Sequence, residues 1–365
     1  LSASGKQTFS PVFDYVLAAG TMVMSPLVAV KVIPNIFASL LTVVMYVMVS
    51  RFTRRESAGV FVAFLAGFIP IFVSSTVNSV SPYALVIPMT AWLLYAYTRL
   101  PDESAAMQFV VGFIILSFVH PSVLIVVLGL VVSLALMAAD GVFPSKAELE
   151  LVLFSVLFSL WAQVVLFKGA IASLGVDVFW QNVPRLLMRD YFTRVTVLEG
   201  VYQLGVVLVI GGGYVAYKYA LGGEAREGYA FLGVALAPAV LLWWQLIQPM
   251  VGLVFIALVL LSLAGVAFRW LGEYVERTRY DRLFPLSIAG VFVIFFITGV
   301  IPALQGASAE VSRASAEIDV AAFDWLRTRT APDAVVVGIP ADGHAIAALG
   351  ERRPVVDADF LALPD

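Results

Sequence analysis

Apolar residues in this chain run in blocks, separated by short clusters of Arg, Lys, Pro, Ser and Gly, rather than alternating at every second position as a half-buried strand would. At 1.5 Å of rise per residue, about twenty apolar residues in a helix match the roughly 30 Å hydrocarbon layer of a bilayer. Blocks suited to that role fall at residues 28–50, 57–75, 82–98, 107–119, 122–139, 149–168, 197–219, 229–247, 250–270 and 284–304. The pattern predicts an all-α polytopic membrane protein with about ten transmembrane helices, followed by the start of a C-terminal extracytoplasmic α/β domain. His120-Pro121-Ser122 separates two of the shorter blocks, and one long helix with a re-entrant piece over residues 107–137 is the alternative there.

If both short blocks span, Arg51, Arg54, Arg55, Arg99, Lys146, Lys218, Arg226, Arg269, Arg277, Arg279 and Arg282 all fall on one side. The other side holds only Lys6, Lys168, Arg185, Arg189 and Arg194. The positive-inside rule makes the first side cytoplasmic, so residues 1–27 and everything after Leu304 face outward. Residues 1–304 then form the transmembrane domain, and 305–365 the start of the soluble extracytoplasmic part. Within the first, residues 11–26 are apolar but too short to span and read as a helix lying in the interface. Residues 169–196 make a long outer loop. Past Leu304 the chain predicts a helix over 321–329, a strand over 334–339, a turn over 340–343 and a second short strand over 354–356.

Composition sharpens this picture. Hydrophobic residues are 61% of the 365 positions and charged residues 13%, an apolar excess that no water-covered surface could carry. The net charge of −3, without a run of basic residues, argues against a nucleic-acid partner. No cysteine is present, which excludes disulfides, thiolate catalysis and Cys-ligated zinc, and two histidines leave little for a His-built metal site. The chain starts at Leu1 rather than Met and stops just after a strand-like run, so it reads as a fragment truncated at both ends.

No Asp, Glu, Lys or Arg falls in the middle of any predicted span; Lys31, Glu150, Lys168, Glu199 and Lys218 sit near span ends. Coupled transporters use charges or broken helices at mid-depth, so this distribution weighs against a transporter. Polar chemistry gathers instead at the outer edge, where an enzyme could hold a substrate's lipid tail between helices and its polar head in a cavity.

The outer amphipathic segment, the short spans, His120-Pro121 at a helix break and the trailing soluble segment look like the GT-C superfamily of integral membrane glycosyltransferases. The sharpest local match is Phe323-Asp324-Trp325-Leu326-Arg327-Thr328-Arg329-Thr330-Ala331-Pro332-Asp333-Ala334-Val335-Val336-Val337, then Asp342-Gly343-His344 and Arg352-Arg353-Pro354-Val355-Val356-Asp357. It resembles the segment after the last span in archaeal dolichyl-phosphate-sugar transferases and oligosaccharyltransferase catalytic subunits, and the topology is similar to that of the protein mannosyltransferase branch. The resemblance implies a polyprenyl- or dolichyl-phosphate sugar donor, an acceptor glycan, lipid or protein, multi-pass placement in the cell membrane, an archaeal source, and room for a divalent cation, Mg2+ or Mn2+. Where oligosaccharyltransferases carry Trp-Trp-Asp-Tyr-Gly, this chain has Ile339-Pro340-Ala341-Asp342-Gly343, which puts sequon reading in doubt. The family's catalytic carboxylate belongs to a loop that would precede Leu1; Asp14 stands in the second half of that loop and not at the motif position.

Candidate site residues follow, each beside a plainer reading. Asp14 could face the reaction cavity or simply be solvated. Arg185 and Arg189, four apart, could clamp a donor phosphate with Arg194 nearby, or anchor to headgroups. His120 could contact the donor phosphate, or bond a backbone carbonyl freed by Pro121. Asp177 with Trp180 could bind sugar by hydrogen bonds and ring stacking, or anchor the loop at the interface. Asp342 and His344 could contribute to sugar or acceptor binding, though turn chemistry alone explains Asp342-Gly343. Gly211-Gly212-Gly213 reads as close helix packing rather than a phosphate cradle. The function expected is sugar transfer from a polyprenyl-phosphate donor to an extracytoplasmic acceptor. The alternatives are a transporter or flippase for lipid-linked substrates, and a non-catalytic scaffold of the same architecture.

Overall fold

The computed structural model describes residues 11–77, 79–174, 195–222, 226–277, 284–312, 317–338 and 342–355. The helices are α1 (Pro11–Thr21), α2 (Pro26–Thr53), α3 (Glu56–Ala66), α4 (Pro70–Thr76), α5 (Tyr83–Thr98), α6 (Glu103–Val119), α7 (Val123–Ala139) and α8 (Lys146–Leu174), then α9 (Val197–Leu204), α10 (Val206–Gly222), α11 (Arg226–Trp243) and α12 (Pro249–Glu276). A continuous run follows: α13 (Phe284–Phe295), a π-helical turn (Phe296–Val300) and α14 (Ile301–Ser312), and α15 (Glu317–Arg329) comes after it. Local chemistry explains many boundaries. Pro26, Pro70 and Pro249 open their helices at positions whose N–H would have no partner. The Asp102 side chain accepts the Ser104 N–H at the start of α6, and Thr196 with Glu199 forms a reciprocal capping box on α9. Gly205, at φ 83°, lets the chain turn 101° between α9 and α10, a conformation that a side chain would strain.

Each apolar block of the sequence falls on one of these helices or on a bent pair. Four helices are long and apolar enough to cross a membrane, Val28–Thr53, Lys146–Leu166, Pro249–Glu276 and Pro285–Ala309, and the count reaches six if the bent pairs α3–α4 (54°) and α9–α10 (101°) are each one span. The remaining apolar blocks form shorter helices, including Tyr83–Thr98, Glu103–Val119, Val123–Ala139 and Gly228–Trp243. Seventeen residues reach about 25 Å, short of a roughly 30 Å layer, so a block's apolarity alone overstated the number of full-length spans. His120 and Pro121 separate α6 from α7, and no single helix runs over 107–137.

The described residues fall into two compact units. The first runs from Ser10 to Ala162 and from Phe192 to Val311; the second takes in the end of α8 and the chain from Ser312. At the centre of the first is α12, with 72% of its apolar window buried against 28% for each of the other three long helices. Contacts fix helix directions. Gly59 of α3 faces Tyr46 and Ser50 of α2 while Gly67, just past α3, faces Thr42, so α2 and α3 are antiparallel. Tyr97 meets Phe109, Leu93 meets Gly112, and Tyr83 meets His120, which makes α5 and α6 antiparallel as well. Gly129 and Ser133 of α7 lie against Gly233 and Val234 of α11, while Asp140 accepts the Tyr229 hydroxyl. Val49 beside Gly265 and Arg55 beside Glu276 show α2 and α12 running the same way. Large apolar side chains such as Val43, Leu157, Trp161 and Ile210 point outward, as a lipid-facing surface requires.

Gly212 bears out the packing reading of the triple glycine. A Cβ there would lie 2.9 Å from the backbone C and Cα of Leu260 in α12, whereas one at Gly213 would meet nothing within 4 Å.

In the second unit, β1 (Val335–Val336) pairs in parallel with β2 (Arg353–Pro354), with α16 (Gly343–Ala348) between them in sequence. The expected helix, strand and second strand are all found, with shifted ends. The helix extends back to Glu317, and the expected strand over 334–339 shortens because its partner pairs over two residues only. Part of the expected turn, residues 339–341, lies outside the described residues, and Asp342-Gly343 opens α16 instead of closing a turn. Arg352 locks this unit. Only 6% exposed, it donates to Thr330 Oγ1 (2.7 Å), Thr330 O (2.7 Å) and Glu351 O (3.0 Å), and also to Arg327 O.

Candidate functional site

The two ends of the first unit differ chemically. One carries the turns after α2, α5, α7 and α12. Arg55 donates to both Glu276 carboxylate oxygens, at 2.9 and 3.2 Å. Arg226 grips Glu148 through Nε (3.2 Å) and Nη2 (2.5 Å), and reaches Phe143 O at 3.3 Å. Arg99 pairs with Asp102. Phe52 and Phe231, 5.7 Å apart, join these clusters from α2 and α11. The pairs Arg55–Glu276, Arg99–Asp102, Lys146–Glu150, Arg226–Glu148 and Arg269–Glu273 all lie toward this end. It is the basic end that the sequence places in the cytoplasm. Asp102, accepting from Ser104 Oγ, from the Ser104 N–H and from Arg99, has its carboxyl held below the usual carboxylate range.

The opposite end gathers broken helices. Here lie α1, the α3–α4 bend, the α6–α7 break and the α9–α10 turn. His120 accepts the Ser122 N–H on Nδ1 at 3.1 Å, and the Tyr83 ring packs 5.0 Å from the imidazole. The sequence leaves two readings for His120, a bond to a backbone carbonyl freed by Pro121 or a contact with the donor phosphate. The bond seen is to an amide N–H, which fixes an acceptor at Nδ1 and leaves Nε2 as the donor of the neutral ring. Asp14 is exposed on α1, whose Gly20 rests against Ala29 and Ile33 at the start of α2, so Asp14 and His120 share this end. Val195-Thr196, the described end of the outer loop, enters α9 at the same end.

A hollow of about 210 Å³ opens here between α2, α4 and α5, lined in part by Asn35, Ser39, Thr42, Thr76 and Pro88. Each polar group donates to a backbone carbonyl of its own helix: Asn35 to Lys31, Ser39 to Ile36, Thr42 to Ser39, Thr76 to Phe72. The hydroxyl and amide oxygens keep lone pairs able to accept from a guest. Sequence reading missed this hollow; Pro34, Pro70 and Pro88, one on each of its helices, were the available signal.

Asp177, Trp180, Arg185, Arg189 and Arg194 lie outside the described residues. In the second unit, Asp342 is half-buried at the start of α16 and His344 stands two residues further on. Among the described residues no group of three His, Asp or Glu side chains could hold a metal.

The crystal structure of the Archaeoglobus fulgidus oligosaccharyltransferase, in complex with zinc and sulfate, is similar to this chain with a TM-score of 0.63, over 98% of this chain and 55% of that one. The chain has an oligosaccharyltransferase-like fold. Sequence identity is 17%, so the likeness is one of architecture, and the chain spans about half the length of that structure. No family description and no curated protein matches the sequence. The comparison supports an oligosaccharyltransferase-like helical architecture.

Proposed function

We propose that this chain is part of a GT-C-type membrane glycosyltransferase that moves a sugar from a polyprenyl-phosphate donor to an acceptor outside the cytoplasm. The observation that carries the reading is the oligosaccharyltransferase-like fold over 98% of the chain. Supporting it, the hollow beside Asn35 and Thr76, His120 and Asp14 share the end of the helical unit opposite the ion-paired basic one. In this reading the apolar blocks make ten crossings, the short helices tilting little or thinning the bilayer locally. The alternating directions of α2, α3, α5 and α6 fit that count.

At the outer end, the donor's chain would lie between helices while its phosphate meets Arg185, Arg189 and Arg194, whose guanidinium groups would neutralise charge on the departing phosphate. His120, with Nε2–H as donor, would bind a phosphate or sugar oxygen. Asp177 and Trp180 would hold the sugar by hydrogen bonding and stacking. Asp342 and His344 would help seat the acceptor. Within this chain, Asp14 would be the candidate carboxylate for activating the acceptor.

The test is transfer of a radiolabelled hexose from dolichyl-phosphate hexose by the full-length protein in proteoliposomes. Arg189→Ala should lower kcat/KM by about tenfold or more, the loss expected when one charge-assisted phosphate contact is removed. Wild-type protein that moves intact lipid-linked sugar between leaflets without transferring it would replace this reading by a flippase.

A further inference from the structure

The turn between α11 and α12 presents two adjacent indoles at the end of the helical unit opposite the basic one. Trp243, Trp244 and Leu246 are 85%, 66% and 57% exposed. Large apolar side chains that stand together in this way mark a contact surface. The backbone beneath them closes on itself. The Trp244 N–H donates to Val240 O (3.1 Å), the Gln245 N–H to Leu242 O (3.0 Å) and the Leu246 N–H to Leu241 O (2.8 Å). The last two bonds are the paired closure that ends a helix on a left-handed residue, here Gln245 at φ 57°. Pro249 opens α12, and a Cβ on Gly252 would meet the Leu242 side chain, so α12 returns directly against α11.

Charge, hydrogen bonding and depth together select a lipid boundary as the partner. Between Glu227 and Arg269 the chain has no Asp, Glu, Lys or Arg, and the turn itself offers only the amides of Gln245 and Gln248. A surface that held a sugar or a peptide in water would carry charged or hydroxyl side chains beside its rings, and this turn has none. The N–H groups of residues 244–246 are all bonded within the turn, as backbone in a poorly hydrated layer must be. Depth agrees. Trp270 stands 21 residues after Pro249 on α12, a rise of about 32 Å against the roughly 30 Å of the hydrocarbon layer. It lies edge-on to Tyr214 and Tyr219 at 6.3 Å, six residues before Glu276, the partner of Arg55 at the basic end. Amphipathic rings thus bracket an apolar helix with the spacing of the two membrane–water interfaces, where Trp and Tyr collect.

We propose that Trp243, Trp244 and Leu246 form an anchor seated at the headgroup–acyl boundary of the leaflet opposite the basic end, the indole bodies among the upper acyl carbons and their N–H groups toward the headgroups. The proposal rests on the membrane placement of the chain, not on sugar transfer. The closed turn joins the anchor to α12, the most buried of the four long helices, so this contact fixes how high that end of the bundle stands over the bilayer.

The chain has no cysteine, so a single spin label can be placed in the full-length protein in phosphatidylcholine proteoliposomes. Leu246→Cys reads the turn, Leu157→Cys, exposed midway along α8, reads the acyl interior, and Arg329→Cys, exposed in the second unit, reads water. Depth follows from collisions with oxygen, which concentrates in the bilayer, and with a nickel(II) chelate, which stays in water. Leu246→Cys should fall between the two references, with nickel access clearly below that of Arg329→Cys. Adding Trp243→Ser and Trp244→Ser should shift it toward the Arg329→Cys value, whereas Trp243→Tyr with Trp244→Tyr, which keeps amphipathic rings, should hold it in place. Helix content by circular dichroism checks that each variant is folded. Nickel access at Leu246→Cys equal to that at Arg329→Cys, or a depth indifferent to the serine pair, overturns the proposal. So does protection that appears only with added soluble mannooligosaccharide, which would give the rings to a glycan, or dipolar broadening between labels, which would give them to a second copy. Leu157→Cys reading as water overturns it by removing the membrane placement beneath it, a result distinct from failure of sugar transfer.

Discussion

Two adjacent glycines on α10 should respond oppositely to the same substitution. Gly212→Ala and Gly213→Ala each gain the helix preference of Ala over Gly, about 0.8–1 kcal/mol. At Gly213 nothing lies within 4 Å of the new methyl, so that gain stands and the variant should be more stable by up to about 1 kcal/mol. At Gly212 the methyl would meet the backbone of Leu260, with C and Cα at 2.9 Å and O closer still. Backbone cannot rotate away as a side-chain tip can, so α10 must move off α12, the most buried long helix. Overpacking of this kind costs about 1–3 kcal/mol, which offsets the propensity gain and leaves a net loss of up to about 2 kcal/mol. Thermal unfolding in mild detergent, followed by circular dichroism, reads the difference directly. Equal midpoints for the two variants, or a higher one for Gly212→Ala, would refute the close approach of α10 to α12.

Three further outcomes test other parts of the structure. Arg226→Met should destabilise by about 2 kcal/mol, less than the 3–5 kcal/mol typical of a fully buried pair because Arg226 is 48% exposed, and adding Glu148→Gln should restore most of the loss in a double-mutant cycle. Arg352→Leu removes a buried donor set and leaves Thr330 O and Arg327 O without it, so the second unit should become sensitive to limited proteolysis while the helical unit's unfolding midpoint stays put. Asp102, its carboxyl pKa lowered by Ser104 and Arg99, contributes stability that is complete above the unfolded carboxylate pKa and fades as pH falls through the folded one; Asp102→Asn should therefore unfold earlier than wild type at pH 7, with the difference shrinking as acid protonates the folded carboxylate, measured by denaturant titration.

Helix positions were legible in the sequence because a bilayer solvent imposes one strong rule, apolar on every side over a fixed length. That rule located every apolar block on a helix. It counted spans less well, since the Glu103–Val119 and Val123–Ala139 blocks satisfy composition but not length. The packing role of Gly212 was legible because glycine in a span has few other uses. The hollow around Asn35 and Thr42 was not: its polar groups satisfy their own helix backbones, so nothing in their spacing marks them as neighbours across α2, α4 and α5. His120 showed the same limit, since the break at Pro121 announced that a backbone group would need a partner but not which one.

The central claim is that one end of the helical unit, bearing Asp14, His120 and the start of α9, faces outside while the ion-paired end faces the cytoplasm. The chain contains no cysteine, so single cysteines placed at Asp14, Val197, Lys146 and Lys218 can be labelled one at a time in intact cells with a membrane-impermeant maleimide. Asp14→Cys and Val197→Cys should label without permeabilisation, and Lys146→Cys and Lys218→Cys only after it. Labelling of both sets from outside, or of Asp14→Cys and Val197→Cys from opposite sides, would contradict the account.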